Sequence, residues 1–491
     1  MMMCSLARVT PLCAVLALAP AAAQPPAFEP RPCPRTMEDA RCGTVRVPEN
    51  RDAPGRMLGL NVVVLPARSA SPAREAVAFF AGGPGQAATQ MAPYVAPTFS
   101  PLRDTRDLLF VDQRGTGGSA PLQCALRDTA NPQSYLGDYL PADAVARCRD
   151  ELSRMADLTR YGTRELAHDT EAVRVALGYE RLDLHGVSYG SRAALAYLRA
   201  YPSRVRSVVL RALVPPQYRQ PDGFARDLEA ALQGLFAECR ADAFCRATYP
   251  DPDGELRAVA DRLAGAPATF DIPDPDSGVR IRVTLTREVF VEVIRRMLYD
   301  PLAARGVPYA VRRAYRGDYR TLAAAALRDR RMFARAAWWG LHLAVTCSED
   351  LPFIDHAAAD DGDALAGGYR LRQYIQACRG WPTFAHPEED RRTFRSDVPA
   401  LLISGALDPV TPPRWGDAAA AIFPGGLHLV VPYAAHSTIG LENSGCVDSL
   451  VIQFYRQGSA RGLDTSCLRG IRPPPFAPGS SAPAGGTGQD G

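Results

Sequence analysis

The sequence predicts an α/β fold with a mostly parallel sheet, helices on both faces and a large helical lid inserted before the last strands. Short apolar runs alternate with segments of helical spacing between residues 58 and 210, which is typical of a parallel sheet covered on both faces. The alternation lapses after residue 216 and returns at residue 400. A long helical stretch between two halves of one sheet is therefore interpreted as a lid rather than as an independent domain.

The elements of the predicted sheet can be placed in chain order. Apolar runs bounded by polar residues or glycine indicate strands at residues 45–47, 58–65, 76–80, 108–111, 182–185, 205–210, 400–404 and 427–431. Leu166, Val173 and Leu177 have the spacing of one helix face, which predicts a helix over residues 163–177. Gly178 follows at the position where a glycine ends a helix.

The inserted stretch is predicted to be mainly helical, with helical patterns at residues 224–239, 287–298 and 303–319 and one strand-like piece at residues 279–285. The tail is rich in Pro, Gly, Ser and Ala and is expected to be disordered. The chain then divides into five parts: residues 1–23 as a signal peptide, 24–213 as the first part of the α/β core, 214–396 as the lid, 397–470 as the second part of the core, and 471–491 as the tail.

The amino terminus predicts export. Residues 1–8 carry one positive charge, residues 11–19 form an apolar run too short to span a bilayer, and residues 21–23 are three alanines ahead of Gln24. This is the pattern of a secretory signal peptide. We expect cleavage near Ala23 and a secreted or periplasmic protein. No later segment is apolar for long enough to predict a transmembrane helix.

Ten of the twelve cysteines remain after the predicted cleavage. An even number in an exported chain predicts disulfides. Spacing does not determine which cysteines pair, but they fall as five close neighbours along the chain, so sequential pairing is the simplest hypothesis. Metal binding is disfavoured, since no C-x-x-C motif occurs and only seven histidines are present. No metal is therefore expected.

The charge pattern does not indicate a nucleic-acid partner. All 56 basic residues are arginine, they are balanced by 53 acidic residues, and the formal net charge is only +3. No run of five or more basic residues occurs, whereas nucleic-acid sites concentrate positive charge. The absence of lysine together with abundant Ala, Gly and Pro is interpreted as a compositional bias of the genome.

A candidate nucleophile lies in the motif G-x-S-x-G at residues 186–190. The motif follows the predicted strand at 182–185 and precedes the helix-like residues 191–198, which is the context in which it indicates a nucleophile elbow. Glycines at its ends permit a strained turn and close passage of the neighbouring chain. We therefore predict Ser188 as a catalytic serine; the alternative is a tight turn with an incidental serine.

A catalytic serine needs a base, and the base needs an orienting carboxylate. Asp408 lies in a loop after the predicted strand 400–404, and His436 lies in a loop after the predicted strand 427–431. The order Ser, Asp, His is the order known for such triads on this kind of sheet. Ser188, Asp408 and His436 are therefore the predicted triad. Taken singly, Asp408 could be a loop-capping residue and His436 a surface histidine.

Together these motifs resemble those of the secreted tripeptidyl-aminopeptidase branch of the prolyl-iminopeptidase family. The resemblance rests on Gly-Gly-Pro-Gly at residues 82–85, Asp-Gln-Arg-Gly-Thr-Gly at 112–117, the serine motif, and the loops at Asp408 and His436, and it extends from about residue 33 to residue 467. Departures are Ala81, where the family usually has histidine, and Arg211, where it usually has aspartate.

The resemblance implies an α/β-hydrolase fold with a helical lid, no cofactor, and exopeptidase action on peptides with free N-termini. It also implies an oxyanion hole formed by the backbone N–H groups of Gly83 and Tyr189. Glycine would let the substrate oxygen approach the backbone closely, and Pro84 would stiffen the turn.

An aminopeptidase must also bind a free α-ammonium group, and a carboxylate in the lid is the simplest device. The candidate is Glu349, next to Cys347, which sequential pairing would join to Cys378. The alternative is a solvated acidic turn. Two other functions stay open: a carboxylesterase or lipase with the same triad, because fold does not determine substrate, and a non-catalytic binding protein.

Overall fold

The computed structural model describes residues 26–37, 39–53, 55–357 and 364–478. The predicted signal peptide, with its cleavage site near Ala23, lies outside the described residues, as do residues 479–491 of the predicted tail. Within the described ranges, no helix is both long enough and apolar enough to cross a membrane.

The sheet at the centre of the fold has nine strands in the order β1-β2-β3-β5-β4-β6-β7-β10-β11. Its strands and those of a separate hairpin are β1 Phe28–Arg31, β2 Arg41–Pro48, β3 Met57–Leu65, β4 Glu75–Phe80, β5 Asp107–Val111, β6 Arg181–Val187, β7 Val205–Arg211, β8 Ala268–Pro273, β9 Arg280–Leu285, β10 Ala400–Gly405 and β11 Leu427–Val431. Strands β5 to β11 in this order pair in parallel, and the first three strands form an antiparallel edge. The predicted mostly parallel sheet is confirmed.

The helices cover this sheet and build the insertion. They are α1 Ala88–Phe99, α2 Ala142–Leu152, α3 Thr163–Leu177, α4 Tyr189–Ala200, α5 Phe224–Ala241, α6 Ala243–Thr248, α7 Pro252–Gly265, α8 Arg287–Met297, α9 Pro301–Ala304, α10 Val307–Tyr315, α11 Arg320–Ala336, α12 Trp339–Val345, α13 Tyr369–Cys378, α14 Glu388–Arg391, α15 Pro413–Ala420 and α16 Gly445–Gln457. Helix α3 has the predicted bounds, and Gly178 ends it with φ 74°, a conformation that favours glycine.

The insertion differs from its prediction in two details. The pattern at residues 303–319 covers two helices, because α9 ends at Ala304 and α10 starts afresh at Val307. Pro308 in the first turn of α10 lacks an N–H, which suits a helix start and not a helix interior. The strand-like piece is β9, and it pairs with β8, a strand that the sequence pattern does not predict.

The insertion has a hydrophobic core of its own. Phe236 of α5, Phe290 and Ile294 of α8 and Leu322 of α11 are at most 1% exposed and belong to this core. Helices α12 and α13 instead pack into the core that covers the sheet, through residues such as Leu341 and Tyr374. The far end of the insertion is thus tied to the sheet, which positions the segment that follows α12 beside the carboxyl ends of the parallel strands.

The expected disorder of the tail is wrong for residues 471–478. Ile471 is 1% exposed and Phe476 is 4% exposed. The Tyr249 hydroxyl donates a 2.8 Å hydrogen bond to the Ala477 carbonyl oxygen, and the Arg305 guanidinium lies 4.1 Å from the Phe476 ring centroid. Ile471 packs into the core on the sheet and Phe476 into the core of the insertion, so two apolar side chains anchor this proline-rich stretch.

The ten described cysteines form five disulfides, and each joins neighbours along the chain. The pairs are Cys33–Cys42, Cys124–Cys148, Cys239–Cys245, Cys347–Cys378 and Cys446–Cys467. The predicted sequential pairing is confirmed.

Candidate active site

The candidate nucleophile Ser188 occupies a sharp turn between β6 and α4. Its backbone has φ 57° and ψ −128°, a conformation that residues other than glycine seldom adopt. A Cβ on Gly186 would lie 2.4 Å from the Gly190 carbonyl oxygen, and a Cβ on Gly190 would lie 2.0 Å from the Phe80 carbonyl oxygen. Packing therefore requires both glycines of the motif, and the turn leaves Ser188 at the carboxyl end of β6.

Asp408 and His436 follow the carboxyl ends of β10 and β11, and their side chains meet there. The Asp408 Oδ2 atom lies 2.8 Å from His436 Nδ1. Thr411 donates to the same carboxylate from its hydroxyl at 2.6 Å and from its backbone N–H at 2.9 Å, and the Val410 N–H donates at 2.8 Å. These donors fix a carboxylate that is 2% exposed, so Asp408 can orient the imidazole.

The charge on Asp408 follows from the same contacts. Burial by itself would raise the pKa of this carboxyl, but His436 and the Thr411 donors outweigh burial and lower the pKa below its ordinary value. An ionised carboxylate at Nδ1 favours the tautomer that carries its proton on Nδ1. The Nε2 atom of His436 is then free to accept a proton, as a general base must.

Ser188 and His436 line one cavity of about 1070 Å³. Among the described residues no hydrogen bond joins their side chains, so the two predicted partners share a cavity without a direct bond. Contacts of this kind commonly tighten once substrate is bound. The Tyr299 ring packs edge-on against the His436 imidazole with centroids 5.1 Å apart, which restricts the orientation of the base.

The predicted oxyanion donors, the backbone N–H groups of Gly83 and Tyr189, both border this cavity. Tyr189 is the first residue of α4, where an N–H has no acceptor within the helix. The loop of Gly83 passes beside the nucleophile, since a Cβ on Gly82 would lie 3.3 Å from Ser188 Cβ. Gly83 has φ 111°, which favours glycine. Their role as an oxyanion hole stays a prediction.

His342 of α12 ties that loop to the insertion. Its Nδ1 lies 2.9 Å from the Pro84 carbonyl oxygen, and its Nε2 lies 2.7 Å from the Tyr374 hydroxyl of α13. Burial lowers the pKa of His342 to about 4, so the ring is neutral near pH 7. A neutral imidazole can donate to Pro84 and accept from Tyr374, which fixes the loop that carries Gly83.

Glu349 lies behind the cavity wall and not in it. It is 1% exposed, and its two oxygens accept hydrogen bonds from the Thr163 N–H and the Thr163 hydroxyl, each at 2.6 Å. The Thr163 hydroxyl also lies 2.8 Å from the Tyr189 hydroxyl. Glu349 is not among the residues that line the cavity, because both of its oxygens bind Thr163 beneath the nucleophile turn. Its predicted role in binding substrate stays a prediction.

The neighbouring residue, Asp350, does line the cavity. Its Oδ1 atom lies 2.9 Å from Arg192 Nη2, so the two side chains form a buried ion pair. Arg192 is one helical turn after Ser188 on α4, and its Nη1 lies 3.9 Å from Glu349 Oε2. The cavity wall thus contains a buried carboxylate near the nucleophile, paired with Arg192.

A π-helical turn over Thr346–Asp350 produces this arrangement directly after α12. A π-turn is wider than an α-turn and is common at functional sites. The turn is also fixed covalently, because Cys347 within it is bonded to Cys378 at the end of α13. Two adjacent carboxylates are thereby buried on the two sides of Arg192.

The Asp-Gln-Arg motif at residues 112–114 forms hydrogen bonds that fix the loops around the Ser188 turn. Asp112 accepts hydrogen bonds from the Thr89 N–H at 2.9 Å and the Gly118 N–H at 3.0 Å. The Gln113 amide donates to the Tyr189 hydroxyl at 3.2 Å. Arg114 forms two 2.7 Å hydrogen bonds to Asp169. The motif therefore positions the turn around Ser188 and does not itself reach the cavity.

Within the part of the chain that the structure describes, no group of three or more His, Cys, Asp or Glu side chains could hold a metal ion.

Two family models match the chain. One, described as alpha/beta hydrolase fold, matches residues 75–248, and one, described as TAP-like protein, matches residues 363–467. Serine protease Hip1 of Mycobacterium tuberculosis is 26% identical over 476 aligned residues, which cover 87% of each chain. The chain therefore has the α/β-hydrolase fold. Its similarity to this serine protease identifies it as a serine hydrolase.

Two further curated proteins and one solved structure are also similar to this chain. Tripeptidyl aminopeptidase of Streptomyces coelicolor is 29% identical over 196 residues, 36% of this α/β-hydrolase and 35% of the relative. Carboxylesterase B of Mycobacterium tuberculosis is 35% identical over 233 residues, 43% of each. A solved proline iminopeptidase of Mycobacterium smegmatis covers 84% of this chain and 98% of its own, with 18% identity and a TM-score of 0.39. The predicted resemblance to the tripeptidyl-aminopeptidase branch is confirmed by the family models and the curated relatives.

Sequence reasoning missed several side chains of this hydrolase's site. Thr411 had a usable signal, because a hydroxyl three residues after a loop aspartate commonly bonds to it. Thr163, Arg192 and Asp350 had none: each comes to the site from a different element, and only the folded chain brings them together.

Proposed function

We propose that this hydrolase is an exported serine exopeptidase that cleaves peptide bonds near a free N-terminus, of the tripeptidyl- or prolyl-aminopeptidase type. The observation that carries the proposal is that Ser188, His436 and the buried Asp350 line the same cavity. A nucleophile, a base and an acceptor for an ammonium group are the three functions that such a reaction needs.

The proposed reaction forms and then hydrolyses an acyl-enzyme. The Ser188 hydroxyl attacks the scissile carbonyl carbon while His436 Nε2 takes its proton, and Asp408 stabilises the imidazolium that results. The N–H groups of Gly83 and Tyr189 donate to the oxyanion of the tetrahedral intermediate, a contact worth about 3 kcal/mol for each donor. His436 then protonates the leaving amine, and water attacks the acyl-enzyme by the reverse sequence.

The choice of peptides as substrates has two supports. Relatives along the chain are named serine protease and tripeptidyl aminopeptidase. In addition, Asp350 places a buried carboxylate, paired with Arg192, in the cavity wall. A peptide's α-ammonium would share this carboxylate with Arg192, and an N-acetylated peptide has no charge to make that contact. Asp350 thus replaces Glu349 as the proposed ammonium ligand.

Export is part of the proposal. The sequence pattern of residues 1–23 and the five disulfides support it, because disulfides persist in oxidising compartments. Intact mass of the mature protein should give an N-terminus near Gln24 and ten oxidised cysteines.

The decisive experiment compares amine and ester substrates in three variants. Ser188→Ala should abolish turnover of both while the protein stays folded. Asp350→Asn should cost about 2–5 kcal/mol in kcat/KM for free-amine tripeptidyl- or prolyl-anilides, the range for breaking a buried charge pair. It should cost far less for a small neutral p-nitrophenyl ester, which has no ammonium group.

Glu349→Gln is the matched control, since Glu349 is the adjacent buried carboxylate, also faces Arg192, and lies outside the cavity wall. It should change the two substrate classes by the same factor. Equal losses of amine and ester activity in Asp350→Asn, or wild-type enzyme that hydrolyses N-acetylated peptides as fast as free ones, would contradict the proposed ammonium site.

A carboxylesterase is the second candidate, favoured by the 35% identity to carboxylesterase B. It predicts that p-nitrophenyl esters are hydrolysed well while tripeptidyl- and prolyl-anilides are not. Measuring both on wild-type enzyme separates the two functions. A non-catalytic binding protein would hydrolyse neither.

A further inference from the structure

Arg295 of α8 is an unusual member of the cavity wall. It is 2% exposed, it borders the cavity that contains Ser188, and its Nε and Nη2 atoms are buried without a hydrogen-bond partner. Among the described residues, no carboxylate forms an ion pair with it. A buried guanidinium without a counter-ion is costly, because neither water nor an anion compensates its charge.

Three other arginines of the same wall have carboxylate partners. Arg192 lies 2.9 Å from Asp350, Arg296 lies 2.9 Å from Asp329, and Arg370 lies 2.6 Å from Glu292. Glu292 is one turn before Arg295 on α8 and would be its natural partner, but Arg370 binds both of its oxygens. The charge of Arg295 therefore has no fixed partner within the cavity.

Aromatic rings hold Arg295 in place and leave its N–H groups free. Its guanidinium lies 4.2 Å from the Phe224 ring centroid and 5.4 Å from the Tyr299 ring centroid. Such cation–π contacts stabilise a positive charge without using its hydrogen-bond donors. The Tyr299 ring also packs against His436, with centroids 5.1 Å apart. One aromatic ring thus separates Arg295 from the candidate base.

We propose that Arg295 binds a carboxylate of the substrate and makes this hydrolase selective for anionic substrates. The proposal rests on the proposed function for its peptide form and specifies the substrate class of that same site. Arginine matches the planar geometry of a carboxylate with paired N–H donors, and the cavity gives it access to one. The carboxylate could come from an acidic side chain of the released peptide or from the free C-terminus of a short substrate.

The test uses substrates that differ only in that charge. One arm compares tripeptidyl-anilides with Glu or Gln at each position, and the other compares short peptides ending in a free acid or an amide. Wild-type enzyme should prefer the anion by at least about tenfold in kcat/KM in one arm, which identifies the source of the carboxylate. A tenfold preference is about 1.4 kcal/mol.

Arg295→Gln should remove this preference by slowing the anionic substrate, while the neutral partner changes by no more than a few-fold. Arg295→Lys keeps the charge and should retain part of the preference. Thermal unfolding of each variant confirms that it is folded. If wild-type enzyme does not discriminate in either arm, or if Arg295→Gln slows both members of a pair equally, Arg295 is only a packing residue and the inference fails.

A third pair of substrates distinguishes failure of the Arg295 inference from failure of the proposed function. The p-nitrophenyl monoester of glutaric acid carries a free carboxylate, and its methyl diester does not. If peptides are not hydrolysed but the anionic ester is preferred in an Arg295-dependent way, the inference holds and the exopeptidase proposal fails. If peptides are hydrolysed with no preference for the anion, the proposed function holds and the inference fails.

Discussion

Thr163 and Glu349 form a buried pair beneath the turn that carries Ser188. Burial raises the pKa of the Glu349 carboxyl to about 7, although Arg192 and the two Thr163 donors act in the opposite direction. In the unfolded chain this group would have its ordinary value of 4.5. Between these two values the folded protein binds a proton that the unfolded chain has lost.

The free energy of unfolding should therefore depend on pH through this one residue. A raised pKa in the folded state means that stability is fully present below pH 4.5 and is lost as pH rises to about 7. The loss should be about 3 kcal/mol for a shift of this size. Glu349→Gln mimics the protonated form and should lack this loss.

Urea unfolding of wild-type and Glu349→Gln protein at intervals from pH 4.5 to pH 8 measures the effect. As pH rises, the free energy of unfolding of Glu349→Gln should increase relative to that of wild-type protein, and this difference should level off above about pH 7. Parallel stability curves would mean that Glu349 is ionised throughout, held by Arg192.

At the scale of elements, the π-turn Thr346–Asp350 and helix α13 act as one unit. Their disulfide, Cys347–Cys378, closes a loop with a sequence separation of 31. Tyr374 of α13 bonds to His342, and His342 bonds to the Pro84 carbonyl. The unit therefore touches both sides of the candidate site: the proposed ammonium ligand Asp350 and the loop of Gly83.

Replacing both cysteines of this bridge by serine should lower stability and activity together. The unfolded state gains freedom, which typically costs about 2–5 kcal/mol of stability. In addition, kcat/KM for free-amine substrates should fall, because Asp350 loses a fixed support. Both quantities are read from unfolding curves and steady-state kinetics at a temperature where the variant is folded.

The Cys446–Cys467 bridge offers the matched control, since neither cysteine borders the cavity. Its removal should lower stability by a similar amount and leave kcat/KM unchanged. A Cys347–Cys378 variant with wild-type kinetics would show that the π-turn keeps its shape without the bridge.

The same elements show what the sequence could and could not predict. Strand β4 and helix α3 were predictable from their apolar spacing. The strand is buried on both faces and has a continuous apolar run, whereas the helix is buried on one face and has apolar residues at helical intervals. Strand β8 was not, because it is half exposed and β9 is its only partner among the described strands. The π-turn was not either, and it decides that Asp350 rather than Glu349 faces the cavity. Arg295 became a candidate only when the folded cavity left it without a counter-ion.

At the scale of the whole molecule, the insertion covers the carboxyl ends of the strands and converts an open site into a cavity. Residues of α8, α11 and α12 form much of its wall, opposite the Ser188 turn. A volume of about 1070 Å³ is near the upper end of small-molecule sites, which span roughly 300–1,000 Å³. Short peptides fit such a space, and folded domains do not.

We therefore expect the enzyme to shorten peptides from their N-termini and to leave folded proteins and internal bonds uncut. Mass spectra of the products from a 10- to 20-residue peptide, taken over time, should give a ladder that loses residues from one end only. A folded protein incubated alongside should keep its mass. Early fragments that begin and end inside the peptide would contradict exopeptidase action.

The five disulfides follow one another along the chain, and no bridge encloses or crosses another. Ten cysteines allow roughly nine times the 105 pairings open to eight. A chain that emerges amino end first presents both members of each pair before the next pair appears, so every ring can close while its correct partner is the nearest free thiol. The order of emergence then specifies the pairing, and no bridge has to be broken and remade for the next to form.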